Sequence, residues 1–238
     1  MTNKRFPEIP ILVGKNRHHS SIIAEDKFKP QIIFLDDGFQ YRRIRKDYNI
    51  LLWDSMCKPE EAFTVPKGVL REPFERLASA NAILLTRCET ANKEQIDYWI
   101  NRIKSVAPNV PIIKIKTVCD GLYDYNGNKI KQNSKNYFAF SGIGRPESFY
   151  SQLSQLQCKV SKTKQFRDHH RFTYNELNEL DQISKEYNLQ LVCTEKDFIK
   201  IPYDIADKMN LQILRIRAIP ENEKSFVKNL GLEKYLLS

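Results

Sequence analysis

The chain has 238 residues, of which 41% are hydrophobic, and a formal net charge of +9 at pH 7. This composition is typical of a globular protein with one large or two modest domains. No stretch approaches the roughly 18 apolar residues that cross a bilayer, and the first seven residues lack the apolar core of a signal peptide. The charge favours anionic partners, such as nucleic acid, phosphorylated metabolites or acidic lipid surfaces, but does not choose among them.

The cysteines are far apart, odd in number and form no C-x-x-C pair. This pattern predicts free thiols in a reducing cytosol rather than a disulfide framework or a zinc site. The five are Cys57, Cys88, Cys119, Cys158 and Cys193.

The beginning of the chain predicts two strands. Ile9–Val13 is a short apolar run, and a brief helical stretch follows near Ser21–Glu25. Within Gln31–Gln40, four consecutive apolar residues predict a strand buried on both faces, which ends at Asp36 and Asp37. A basic run over residues 41–46 is expected to form a turn.

Two further strands are expected at residues 49–53 and 82–85, with an irregular segment over residues 55–80 between them. A helix is predicted from Lys93 to Val106, because Asn92 and Gln95 make a capping box ahead of an apolar face. This order is typical of a parallel sheet with ligand loops at one edge.

A second α/β set begins after an extended connector at residues 112–118 and a hairpin turn at residues 125–128. Its predicted strands cover residues 137–140, 189–193 and 211–216, and its helices begin at Pro146, after Thr173 and near Glu221. The sequence therefore predicts an α/β fold with two domains, residues 1–112 and 113–238.

The aspartate pair Asp36 and Asp37 is the first candidate site. Ligands of parallel α/β sheets bind at the carboxyl ends of strands, and a strand that ends in Asp holds Mg²⁺ in P-loop enzymes. Arg17, Arg43 and Arg71 are cations that could reach phosphates. The alternatives are a capping role for the aspartates and a solvated surface position for each arginine.

The second candidate site is Asp168-His169-His170. Histidine is the commonest general acid or base, and nearby lysines and arginines make the segment basic. From local sequence alone, the favoured interpretation is a capping aspartate followed by two surface histidines. Adjacent histidines point in different directions, so a metal site is not expected.

The glycine-rich motifs exclude two nucleotide sites. Gly142-Ile143-Gly144 lacks the third glycine of a dinucleotide fingerprint and predicts a tight turn before a helix. Gly14 is the only glycine that a lysine follows, and Asn16 comes next, so the chain contains no Walker A loop.

Six motifs in one order, over residues 9 to 201, carry a resemblance. They are Val13-Gly14-Lys15-Asn16-Arg17, Asp36-Asp37-Gly38-Phe39-Gln40, Pro66-Lys67-Gly68 with Leu70-Arg71-Glu72-Pro73, Gly142-Ile143-Gly144 with Pro146, Asp168-His169, and Thr194-Glu195-Lys196-Asp197. With them the chain resembles the tetraacyldisaccharide 4'-kinase family of lipid A biosynthesis.

The resemblance implies a P-loop-type parallel sheet domain in residues 1–112, followed by a smaller α/β domain. It implies ATP- and Mg²⁺-dependent phosphorylation of the 4'-hydroxyl of a tetraacylated disaccharide 1-phosphate, giving lipid IVA. The expected location is cytoplasmic, peripheral to the inner membrane and against its anionic surface, with no nucleic acid partner.

The resemblance also implies residue roles. Asp36 and Asp37 match the acidic pair that serves Mg²⁺, and Gln40 and Arg43 accompany them as residues that bind the nucleotide. The remaining matches are Arg17 near the transferred phosphate, Arg71 and Glu72 in an active-site loop, and Asp168 and His169 at the catalytic base. Thr194–Asp197 receives no role beyond a helix cap.

Two departures from the family pattern stand out. Tyr41 replaces the histidine that usually follows the acidic motif. The chain also begins after the family's membrane-associating helix, its Walker A segment and its catalytic aspartate, so we expect it to be inactive or incomplete alone. The missing part would be a separate chain, an unrecognised upstream start or a segment lost by gene decay. The alternative functions are a non-catalytic basic module that binds nucleic acid or anionic lipid, and a phosphate-ester hydrolase with Asp36 as nucleophile.

Overall fold

A computed structural model of the protein describes residue 6, residues 8–131 and residues 136–233. Strands and α-helices follow one another in the order α1 (Arg17–Phe28), β1 (Ile50–Asp54), β2 (Ala82–Thr86), α2 (Lys93–Val106), β3 (Ile112–Tyr123), β4 (Tyr137–Ser141), α3 (Pro146–Gln155), β5 (Val160–Gln165), α4 (Tyr174–Glu186), β6 (Gln190–Thr194), α5 (Glu195–Phe198), α6 (Tyr203–Lys208), β7 (Gln212–Pro220) and α7 (Glu223–Asn229).

The chain divides into two compact units. The first unit contains Pro7–Thr117 and Ala218–Ser238, and the second is built on Val118–Arg217. The division at residue 112 that the sequence suggested stays a prediction. Among the described residues, no helix is long and apolar enough to cross a membrane.

The first unit holds a parallel β1-β2-β3 ladder. Ile50 pairs with Ala82, and Ile83 pairs with Ile112. Between β1 and β2, only two short 3₁₀ helices interrupt the irregular segment that the breaker residues predicted, at Pro59–Glu61 and Phe74–Ser79.

Aromatic rings fill the core of the first unit. Trp99 of α2 is fully buried and lies 4.7 Å from the Trp53 ring of β1, which meets Phe74 edge-on at 5.0 Å. The Trp99 indole N–H donates to the Cys57 carbonyl at 3.0 Å, which satisfies its polar end. This packing attaches helix α2 to the ladder.

The second unit holds four parallel strands in the order β7-β6-β4-β5. Strand β4 is buried along its whole length, as expected for a central strand of a parallel sheet covered on both faces. Helices and parallel strands thus alternate in this unit, and the predicted α/β fold class is confirmed.

Helix starts follow the predicted local chemistry. The Asn92 side chain accepts the Gln95 N–H at the start of α2, and Thr173 and Glu176 form the reciprocal capping box of α4. Pro146 occupies the first turn of α3, where its missing N–H costs nothing. These signals are local, so they were readable from the sequence.

Two predicted strands are wrong. Residues 9–13 and 31–35 have no regular secondary structure, and Val13 and Phe34 are 96% and 75% exposed. An apolar run becomes a strand only where neighbouring backbone pairs with it and other side chains cover it, and the described residues supply neither.

Two strands were not predicted as strands. Residues 112–118, expected to be a connector, belong to β3, and β5 alternates polar residues with lysines, a pattern that suggested a basic loop. All five cysteines are free thiols, as predicted.

Candidate active site

The segment that contains Asp36 and Asp37 is a turn rather than a strand end. Asp37 adopts a left-handed conformation with φ of 50°, which Asp tolerates better than most residues. The half-buried Lys46 ammonium donates to the carbonyl oxygens of Gly38, Phe39 and Tyr41 at 3.0, 2.9 and 2.9 Å. One side chain therefore fixes the backbone behind the aspartates.

Two arginines converge on Asp37. Arg71 Nη1 lies 2.9 Å from Oδ1 and 2.8 Å from Oδ2 of the Asp37 carboxylate. Arg17 Nη1 donates to the Asp37 carbonyl oxygen at 2.8 Å. The structure thus brings together residues from three separate motifs.

Gln40 connects the acidic motif to the loop that contains Arg71 and Glu72. Its Nε2 donates to the Arg71 carbonyl at 3.1 Å and to Glu72 Oε1 at 3.3 Å. We call Arg17, Asp37, Gln40, Arg71 and Glu72 the acidic-loop cluster. All five belong to the first unit.

Close packing around Gly68 explains why the motif before Arg71 contains a glycine. A Cβ at this position would lie 2.3 Å from the Glu61 carbonyl oxygen and 2.4 Å from that of Phe63, so only glycine fits. The Val69 N–H donates to the Glu61 carbonyl at 3.0 Å, and the Leu70 N–H to that of Phe63 at 3.0 Å. The tight loop that results places Arg71 at its exit.

The Tyr41 hydroxyl forms two hydrogen bonds at the start of α1. Its hydroxyl donates to Asn16 Oδ1 at 3.3 Å and accepts from the His18 N–H at 3.4 Å. The same Asn16 oxygen caps α1 by accepting the His19 N–H. The phenol therefore makes hydrogen-bonded contacts beside Arg17, whose guanidinium lies 5.8 Å from the ring centre.

Asp36 and Arg43 stand apart from the acidic-loop cluster. Both side chains are exposed, and within the described part of the chain neither takes part in a hydrogen bond or ion pair. The described residues also contain no group of three or more His, Cys, Asp or Glu side chains placed to hold a metal.

In the second unit, the remaining candidates lie at the carboxyl ends of parallel strands. Ser141 of β4 pairs with Gln165 of β5, and Phe140 pairs with Cys193 of β6. The segments that leave these three strands therefore begin at the same edge of the sheet. They are the Gly142–Gly144 turn, residues 166–170, which we call the histidine loop, and Thr194–Asp197.

Asp168 and His169 are adjacent and exposed in the histidine loop. His169 Nε2 lies 3.8 Å from Asp168 Oδ2, and Lys196 Nζ lies 3.5 Å from Asp168 Oδ1. Burial alone would raise the pKa of the Asp168 carboxyl, but the charges of Lys196 and His169, with the His169 N–H, lower it overall. Asp168 is therefore an anion over the whole neutral range.

His170 has a structural role that its neighbour lacks. Its ring stacks on Phe166 with centres 4.7 Å apart, and its Nε2 lies 3.0 Å from Glu176 Oε2. The Thr173 N–H and the His170 imidazole lower the pKa of Glu176 to about 2. The His169 side chain, by contrast, is 75% exposed.

Comparison with known proteins shows the family of this chain. A family model described as tetraacyldisaccharide-1-P 4'-kinase matches residues 1–233. The chain belongs to that family.

Relatives and a solved structure place the chain within the family. It is 31% identical over 224 residues to the tetraacyldisaccharide 4'-kinase of Elusimicrobium minutum, with 92% of this chain and 59% of the relative covered. For the enzyme of Flavobacterium psychrophilum the identity is 30% over 239 residues, covering 95% and 66%. The crystal structure of LpxK from Aquifex aeolicus in complex with ATP superimposes with a TM-score of 0.65 at 25% identity, covering 92% of this chain and 62% of that one.

The chain therefore spans about three fifths of the length of family members that it matches. The motifs contained every member of the acidic-loop cluster and also Asn16, to which they gave no role, but they missed Lys46, which holds the backbone of the acidic turn. A lone lysine in a basic run carries no signal of its own, and the three carbonyls that Lys46 contacts are visible only in the folded chain.

Proposed function

We propose that this chain supplies phosphate-handling and acceptor-handling residues of an ATP-dependent kinase that phosphorylates the 4'-hydroxyl of tetraacyldisaccharide 1-phosphate. The observation that carries the proposal is the convergence of Arg17 and Arg71 on Asp37, because it joins three family motifs in one cluster. Phosphoryl transfer depends on such positioned cations and carboxylates more than on covalent chemistry.

Asp36 is the residue best placed to hold Mg²⁺. Its carboxylate is exposed, whereas Asp37 is occupied by Arg71. Mg²⁺ is usually bound by one or two carboxylates together with substrate phosphates and water, so a single exposed carboxylate suits this metal. When bound with ATP, Mg²⁺ neutralises charge on the phosphate oxygens. Asp37 then acts indirectly, because its carbonyl oxygen holds Arg17 and its carboxylate holds Arg71.

Arg17 and Arg71 serve the transferred phosphate. Arg17 uses one N–H on the Asp37 carbonyl, and a guanidinium carries five donors. Planar, permanently charged donors suit the equatorial oxygens of a transferring phosphoryl group. Gln40 and Glu72 keep the Arg71 backbone in place, and Arg43 adds an exposed positive charge for the nucleotide.

His169 serves the acceptor. The 4'-hydroxyl oxygen forms a bond to the γ-phosphorus of ATP while the bond to the departing ADP oxygen breaks, and the hydroxyl proton passes to the imidazole. Asp168, ionised beside it, stabilises the imidazolium that results. An exposed imidazole with a neighbouring carboxylate is a suitable general base.

The partners follow from the same proposal. The acceptor is an acylated disaccharide lipid, and the net charge of +9 suits an anionic cytoplasmic face of the inner membrane. The phosphate-binding loop is supplied by a segment outside these 238 residues, which contain no Walker A pattern. Exposed Val13 and Phe34 in the first unit are apolar surface that such a segment would cover.

The test is transfer of labelled γ-phosphate from ATP to the disaccharide lipid in detergent micelles. The chain is assayed alone and with a co-expressed Walker A segment of the Elusimicrobium minutum kinase. We expect transfer only in the combined sample, and its loss in Asp36→Asn. Equal transfer by the chain alone would contradict the need for a partner. No transfer in either sample, or transfer that Asp36→Asn leaves intact, would contradict the proposed function.

A further inference from the structure

Asp197, in the motif without an assigned role, is a fully buried carboxylate. Its Oδ2 accepts the Thr194 hydroxyl at 2.7 Å and the Gly142 N–H at 3.0 Å, and its Oδ1 lies 2.9 Å from Lys200 Nζ. Capping the short helix α5 requires only the Thr194 side chain, which accepts the Asp197 N–H at 3.1 Å. The bond to Gly142, 55 positions away, therefore needs another explanation.

Gly142 connects Asp197 to the histidine loop. Its N–H is held by Asp197, and its carbonyl accepts the His169 N–H at 3.2 Å and Lys200 Nζ at 3.4 Å. A Cβ at position 142 would lie 3.2 Å from the Arg167 carbonyl oxygen and 3.3 Å from Asp197 Oδ1. Glycine thus permits the turn, the loop and the buried carboxylate to approach one another closely.

The conformation of His169 requires such support. It adopts a left-handed φ of 59°, which is uncommon for a residue with a side chain and persists where surrounding contacts impose it. Its N–H is shared between the Gly142 carbonyl and Asp168 Oδ1, the latter at 2.9 Å. The backbone bond to Gly142 is therefore one of the contacts that set the direction of the imidazole.

Lys196, which precedes Asp197 in the motif, contacts Asp168, the residue next to His169. Lys196 Nζ lies 3.5 Å from Asp168 Oδ1. A Cβ at Gly144 would lie 3.2 Å from Asp168 Oδ2, so the turn also approaches this carboxylate closely. Two consecutive residues of α5 are thus connected to two consecutive residues of the histidine loop, Lys196 directly and Asp197 through Gly142.

We propose that Lys196 and Asp197 are positioning residues that fix the geometry of Asp168 and His169. Only the expected effect of Lys196 and Asp197 on catalysis rests on the proposed function, because the contacts that connect them to Asp168 and His169 are features of the fold. A buried carboxylate is costly unless it is fully paired. Asp197 bonds Thr194 of its own helix cap, Lys200 and the Gly142 N–H. Because the Gly142 carbonyl accepts the His169 N–H, this arrangement joins the carboxyl ends of β4 and β6 to the loop that leaves β5.

The decisive experiment measures amide hydrogen exchange by NMR in the full chain, without substrate. Asp197→Asn keeps the shape but replaces an acceptor with a donor, so we expect the His169 and Gly142 amides to exchange about tenfold faster. Asp181→Asn is the matched control, because the Asp181 carboxylate forms an ion pair with Lys185 of its own helix and has no contact with the histidine loop among the described residues. Unchanged exchange at His169 in a cooperatively melting Asp197→Asn protein would overturn the proposal.

If Asp197→Asn does not fold, Lys200→Met tests the same connection, since it removes one donor from both Asp197 and the Gly142 carbonyl. Faster exchange at His169 would support the proposal, and unchanged exchange would contradict it. In the combined kinase assay, Lys196→Met is expected to lower kcat about tenfold at an unchanged KM for ATP, with Lys196→Arg restoring it. An inactive wild type would count against the proposed function alone, because the exchange result needs no activity.

Discussion

Arg71 contacts both carboxylate oxygens of Asp37 through a single nitrogen, Nη1, at 2.9 and 2.8 Å. Both side chains are about two-thirds exposed, and exposed ion pairs contribute at most about 1 kcal/mol to stability. The contact therefore organises the site more than it stabilises the fold.

Removal of Arg71 should separate activity from stability. We expect Arg71→Ala to lower the free energy of unfolding by less than about 1 kcal/mol and to reduce phosphoryl transfer about 100-fold. Urea titration and the combined kinase assay measure the two effects. Arg45→Ala, which removes an exposed cation outside the cluster, is the control and should retain activity. Full activity of Arg71→Ala would exclude Arg71 from the site.

Lys46 should be the main support of the acidic turn. Its ammonium is half-buried and bonds three carbonyls, so in Lys46→Met those oxygens lose a charged donor, at a cost of about 1–3 kcal/mol. We expect limited proteolysis to cleave near residues 37–41 at least several times faster than in the wild type. Arg45→Met tests whether loss of any neighbouring cation has this effect. Equal cleavage of both variants would contradict the assigned role.

The sequence predicted features whose causes are local. Asn92, Pro146 and Thr173 begin helices at the expected positions because a cap needs only the next few residues. The strand over residues 31–35 failed because burial depends on neighbours that a local pattern cannot show. For the same reason the roles of Lys46 and Asp197 were not predictable, since their partners include backbone groups that every residue carries.

The choice between His169 and His170 needed the structure as well. Two adjacent histidines are equivalent in a local pattern. They differ in the structure because Phe166 and Glu176 contact the His170 ring rather than that of His169. The family motif indicated His169 by position, without a physical reason, and its role stays a prediction. The stacking and the ion pair show that the His170 ring already has structural partners.

The depressed pKa of Glu176 predicts an acid-sensitive contribution to stability. Its folded value of about 2 lies below the ordinary value of 4.5. The stabilisation is therefore present above pH 4.5 and is lost as pH falls from 4.5 towards 2. The urea midpoint of the wild type should exceed that of Glu176→Gln at pH 6, and the difference should shrink at pH 3. Glu179→Gln, on the same helix, is the control for loss of a carboxylate, and a pH-independent difference for Glu176→Gln would contradict the prediction.

The exposed apolar residues of the first unit should affect association and leave folding intact. Phe34 and Val13 are 75% and 96% exposed, so Phe34→Ser and Val13→Ser should change the free energy of unfolding by no more than about 0.5 kcal/mol. Contiguous apolar surface promotes association, so both variants should self-associate less in sedimentation velocity experiments and bind the Walker A segment more weakly. Tyr174→Ser, at a 63% exposed position of the second unit, should change neither property. Loss of cooperative unfolding in Phe34→Ser would show that this ring is part of a core, and unchanged association in both variants would remove the residues from the proposed partner surface.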